Sequence, residues 1–129
     1  KSLVDSFGGL CLSSKEMAQR AIKILDEKKA ENIRVIDISN VSILGDYFII
    51  AEGGNRNHLQ ALADNVEKEL ADSKVYPKQI EGYESANWVL MDYADIIIHI
   101  FDHENRLFYD LERIWRDGRC MDAADFIES

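Results

Sequence analysis

The sequence predicts one α/β domain built on a mixed sheet of about five strands with helices on its faces. Three segments repeat apolar residues at helical spacing, and several others are short runs rich in β-branched and aromatic residues. Two of those runs, 88–93 and 95–101, are separated by a single residue, which requires an antiparallel hairpin because a parallel crossover needs a dozen residues or more. With 129 residues, 47% hydrophobic and 30% charged, the chain is the size of one domain and can bury a continuous core.

Residues 1–12 show no clear period and read as an N-terminal arm. Ser13 or Ser14 caps the first helix, and Ser13 with Glu16 has the spacing of a capping box. Met17, Ala18, Ala21, Ile22 and Leu25 form its apolar stripe, and the helix ends near Lys29. Strands are expected over 33–38 and 46–51. Gly53-Gly54-Asn55 then turns into a second helix, capped by Asn55, whose buried stripe is Leu59, Leu62, Ala63, Val66 and Leu70. A weaker, exposed strand over 74–80 follows, limited by Pro77, which has no amide hydrogen for a ladder.

The hairpin comes next, and its second arm, 95–101, is apolar on both faces, the pattern of an interior strand. A last helix begins near His103 and aligns Leu107, Phe108, Leu111, Ile114 and Trp115. The folded body therefore spans 13–116. Residues 117–129 read as a C-terminal tail that adds a short amphipathic turn or frays.

The formal net charge of -9 disfavours phosphates, and the densest basic group, Lys28 and Lys29 near Arg34, is interrupted by Glu27 and Glu31. Little direct nucleic-acid binding is expected, and a basic protein fits better. Cys11 and Cys120 form no CxxC and imply neither zinc nor a redox pair. The run 96–101 is far shorter than the roughly 20 residues that span a bilayer, so no membrane partner is expected.

A catalytic reading would use Asp92, Asp95 and His99, a carboxylate pair with an adjacent base. Asp92 and Asp95 flank a tight turn, however, where aspartates bond their own backbone, and His99 is expected among Ile96, Ile98 and Ile100 as a core group. There is no GxSxG, HExxH, GxGxxG or Walker loop, and Gly53-Gly54 lacks the downstream glycines of a phosphate turn. No catalytic residue, metal or cofactor is expected. Alternation along 88–93 sets Trp88, Leu90 and Asp92 on one face and Val89, Met91 and Tyr93 on the other. Trp88 beside an acid has the composition of a protein-binding hot spot, while Trp88 as a core residue or lid over a helix remains the other reading.

The blocks Asp26-Glu27-Lys28-Lys29-Ala30, Asp46-Tyr47-Phe48-Ile49-Ile50-Ala51, Ala61-Leu62-Ala63-Asp64-Asn65-Val66, Ile80-Glu81-Gly82, Trp88-Val89-Leu90-Met91-Asp92-Tyr93, Asp95-Ile96-Ile97-Ile98-His99-Ile100-Phe101 and Tyr109-Asp110-Leu111-Glu112-Arg113-Ile114-Trp115 stand in one order. In that set, over roughly 14–116, the chain resembles the ribosomal silencing factor, or Iojap-related, family. It departs from the family at Ala94, where many relatives have glycine. The resemblance implies a nucleotidyltransferase-like fold without catalytic use. It also implies binding to ribosomal protein uL14 on the large ribosomal subunit, a steric block to subunit joining and repression of translation. The partner-binding residues it points to, with the strand reading above, are Trp88, Leu90, Met91, Asp92, Tyr93 and Asp95. A cytoplasmic setting follows, or an organellar one for a processed eukaryotic relative. A large-subunit assembly factor and a diverged nucleotidyltransferase-like enzyme are the alternatives, and a homodimer through the exposed strand near Pro77 or the same aromatic face stays open.

Overall fold

The computed structural model describes residues 13–39, 45–102 and 119–122. The expected arm 1–12, the helix from His103 to Trp115 and most of the tail lie outside the described residues. Helix α1 (Ser14–Glu27) opens on the expected capping box: Ser13 Oγ accepts from the Glu16 amide at 3.1 Å while Glu16 Oε1 accepts from the Ser13 amide at 3.1 Å. It closes with Lys29 in the left-handed region, φ 71°, where the Ala30 amide donates back to the Leu25 carbonyl at 2.9 Å. Helix α2 (Arg56–Ala71) is capped by Asn55, whose Oδ1 accepts from the His58 amide at 2.8 Å.

The strands are β1 (Glu31–Asp37), β2 (Tyr47–Gly53), β3 (Gln79–Glu81), β4 (Trp88–Asp92), β5 (Ile96–Asp102) and β6 (Arg119–Asp122). They form one sheet in the order β3-β4-β5-β2-β1-β6, parallel between β2 and β5 and antiparallel elsewhere. The expected hairpin is the β4–β5 pair, and the doubly apolar β5 is interior, between β4 and β2. Among the described residues the sheet has six strands where about five were expected, because Arg119–Asp122, inside the segment read as a tail, pairs along β1 at the edge of the sheet. The folded body thus continues beyond residue 116.

Register fixes the two faces. Ile80, Met91, Ile98, Ile49 and Val35 stand side by side across five strands, and Val89, Ile100 and Ala51 form a neighbouring row. Onto these rows pack the apolar stripes of both α1 and α2, making the main core. Full burial of each such aliphatic side chain contributes about 1.5–3 kcal/mol. Both described helices therefore lie on one face. On the other face, Ile36, Ile38, Phe48, Ile50 and Phe101 form a second buried cluster, with Trp88 and Ile97 packed at its margin.

His58, which the sequence reading did not single out, joins the helices at one end. Its Nδ1 accepts from the Gly54 amide at 2.9 Å, and its Nε2 lies 2.9 Å from the Lys28 carbonyl, so the ring bridges the β2–α2 turn to the end of α1. The Gly54 amide that a phosphate loop would present is thereby engaged. Gly53 serves packing: a Cβ there would lie 2.6 Å from Leu59 Cδ1.

Candidate partner-binding face

Strand β4 settles which of its two alternating sets is accessible. Val89 and Met91 are fully buried against the helices, and Tyr93, just past the strand, retains 5% exposure. Trp88, Leu90 and Asp92 are half-buried on the opposite face. This corrects the expectation that Met91 and Tyr93 offer side chains to a partner: pairing of Met91 with Ile98 directs it into the helix-covered core, and alternation carries Tyr93 the same way. Burial, and secondarily the charge of Glu67, raises the Tyr93 pKa, and its hydroxyl meets no hydrogen-bond partner among the described residues.

The accessible stripe runs about 13 Å from Trp88 to Asp92 at the usual rise per residue. Edge strand β3 extends it, because Glu81 stands beside Leu90 and Gln79 beside Asp92. Both are exposed, and the Gln79 amide donates to Glu81 Oε2 at 2.8 Å. Asp92 Oδ1 accepts from the Ala94 amide at 2.8 Å, the turn role expected of it, and Ala94 takes φ 72°. Asp95 is exposed in that turn, and its carbonyl accepts from the Asp46 amide at 2.7 Å. The structure thus sets Trp88, Leu90 and Asp92 along one face of β4, with Glu81 beside Leu90 on the edge strand and Asp95 exposed in the turn beyond.

Trp88 is held from behind. Its ring stacks on Phe101 at 5.2 Å between centroids, and its Nε1 donates to His99 Nδ1 at 3.1 Å. The expectation that His99 sits among Ile96, Ile98 and Ile100 is corrected: strand alternation turns it to the other face, where its ring centroid lies 4.9 Å from that of Phe48. It is 4% exposed, and burial lowers its pKa to about 4, leaving a neutral ring.

The loop that leads into Trp88 is equally fixed. Gly82 has φ 77°, and a Cβ there would collide with the Trp88 carbonyl oxygen, so only glycine fits. The Ala86 amide donates to the Gly82 carbonyl at 2.9 Å, and the Asp102 amide to the Asn87 carbonyl at 3.3 Å. Among the described residues, no group of three His, Cys, Asp or Glu could hold a metal ion. No helix among them is long and apolar enough to cross a membrane.

These features define a compact α/β domain with one aromatic and acidic rim. The family model for RsfS, ribosomal silencing factor during starvation, matches residues 12–129, and the chain belongs to that family. It is 35% identical over 116 residues to the ribosomal silencing factor RsfS of Halalkalibacterium halodurans, covering 90% of this chain and 99% of that protein. It is 31% identical over 98 residues to the mouse protein named mitochondrial assembly of ribosomal large subunit protein 1, covering 73% of this chain and 42% of that one. A crystal structure of a Chromobacterium violaceum protein superposes with a TM-score of 0.79 at 32% identity, covering 81% of this chain and 87% of that one.

Proposed function

We propose that this protein silences the ribosome by binding protein uL14 on the large subunit through Trp88, Leu90, Asp92 and Asp95, and so prevents the small subunit from joining. The observation that carries this reading is the half-buried but accessible Trp88-Leu90-Asp92 stripe, with Glu81 beside it on the edge strand. An aromatic anchor gains by leaving water, while surrounding carboxylates select a basic surface. The net charge of -9 acts in the same sense and keeps the protein from bare RNA. Repression then needs only affinity and volume: a folded body seated within the joining surface excludes the other particle. In this reading Met91 and Tyr93 support the strand from the core.

Sedimentation with purified large subunits, followed by a joining assay, tests this directly. Trp88→Ala should weaken binding by at least ~2 kcal/mol, about thirtyfold, with the fold intact. Unchanged affinity in a folded variant removes Trp88 from the contact. A second reading, an assembly factor using the same face, is favoured by the mouse relative named for large-subunit assembly. Binding without inhibition of joining would select it. The setting is cytoplasmic or, as the name of that relative suggests, organellar. A homodimer through the same face or through β3 would compete with the subunit, and large-subunit occupancy would then lag at high protein concentration.

A further inference from the structure

Helix α2 and Trp88 lie on opposite faces of the sheet, yet one segment joins them. Arg56, Gln60 and Asp64, four residues apart, share one side of α2. All three grip the loop between β3 and β4. Arg56 Nη2 donates to the Glu84 carbonyl at 2.6 Å, Gln60 Nε2 to the Tyr83 carbonyl at 2.9 Å, and the Tyr83 hydroxyl donates to both Asp64 oxygens at 3.0 and 3.1 Å. The Tyr83 pKa is raised, first by that hydrogen bond, which keeps the phenol protonated as the donor. The loop starts at Gly82, where a Cβ would collide with the Trp88 carbonyl oxygen, and leads directly into Trp88.

We propose that Arg56, Gln60 and Asp64 are positioning residues which, by clamping loop 82–87 onto α2, set where Trp88 presents its ring. Resting on the reading of Trp88 as a partner contact, this makes the affinity of the accessible face depend on a helix on the other side of the sheet. The coupling has a short physical path: the side-chain bonds of three α2 residues, a loop closed by its own Ala86-to-Gly82 bond, and the first residue of β4. Released from α2, the loop would gain freedom at the point where β4 begins, and Trp88 would have to be ordered at the moment of binding.

The protein has two tryptophans, so a W115F background leaves Trp88 as the only indole reporter. In that background R56A, Q60A and Y83F are made singly and together. The combined variant should show red-shifted Trp88 emission, greater quenching by acrylamide and roughly tenfold weaker binding to purified large subunits. R56K, which keeps a donor for the Glu84 carbonyl, should recover most of the single-site loss. The combined variant carrying W88A as well should in total lose no more affinity than W88A alone, because the clamp acts only through that ring. Additive losses, or unchanged emission in a folded variant, overturn the proposal. Neutral binding by W88A would instead remove the contact reading, and the emission of Trp88, which needs no partner, would still decide the clamp. Should the combined variant fail to fold, R56A and Y83F carry the same readouts singly.

Discussion

The indole Nε1 of Trp88 donates to Nδ1 of His99 across 3.1 Å, and that one bond fixes the histidine tautomer. The proton of the neutral ring must sit on Nε2, which is buried and meets no acceptor among the described residues. The same nitrogen that orients Trp88 is therefore the one acid would protonate.

Acid should weaken the fold through this pair. The unfolded histidine titrates near its ordinary 6.5, whereas burial holds the folded ring down to about 4. Between those values the unfolded chain binds more protons, so stability rises with pH across the window and is lost as pH falls through it, by about 3 kcal/mol in total. Urea midpoints from pH 7 to 4 for the wild type and H99L should diverge over that range, with the variant lacking this component. Parallel curves would show that His99 is not the titrating group.

The two sides of β4 should separate stability from binding. Met91→Ala empties a fully buried site and should cost about 2–5 kcal/mol of stability while folded molecules bind normally. Leu90→Ala, on the accessible side, should change the unfolding free energy by less than about 1 kcal/mol and weaken large-subunit binding. The reverse pattern would invert the assignment of faces.

Ala94 occupies a left-handed turn position with φ 72°, where a Cβ is strained. Ala94→Gly should stabilise the protein by about 0.5–1 kcal/mol, the relief exceeding the added freedom of the unfolded chain. Differential scanning calorimetry checks this, and a lowered melting temperature would mean that the turn carries no strain.

The stripes Met17–Leu25 and Leu59–Leu70 were legible because apolar residues three and four apart line one side of a helix and no side of a strand. So was the interior place of β5, apolar on both faces. The accessible side of β4 was not, since each alternating set holds an aromatic and an aliphatic residue, and only the pairing of Met91 with Ile98 and of Val89 with Ile100 chooses between them. Strand β6, Arg-Cys-Met-Asp, is too short and mixed to announce itself. The loop clamp left no local signature, because Arg56 meets a carbonyl at Glu84, whose bonding capacity is the same for any side chain. A signal did exist for His58: a histidine in the first turn of a helix, near a pair of glycines, invites a search for the amide it accepts from.

The parallel contact between β2 and β5 sets the order in which the molecule can be made. Tyr47 lies opposite Ile96, so the centre of the sheet joins strands with α2, β3 and β4 strung between them. During synthesis from the N-terminus, α1, β1 and β2 emerge first and must wait with Ile49 and Ile50 uncovered on one edge until the hairpin arrives. A chain cut before Ile96 would lack β5 from the middle of the sheet as well as β6 from its edge, and the nascent protein is most prone to wrong strand pairing in that interval.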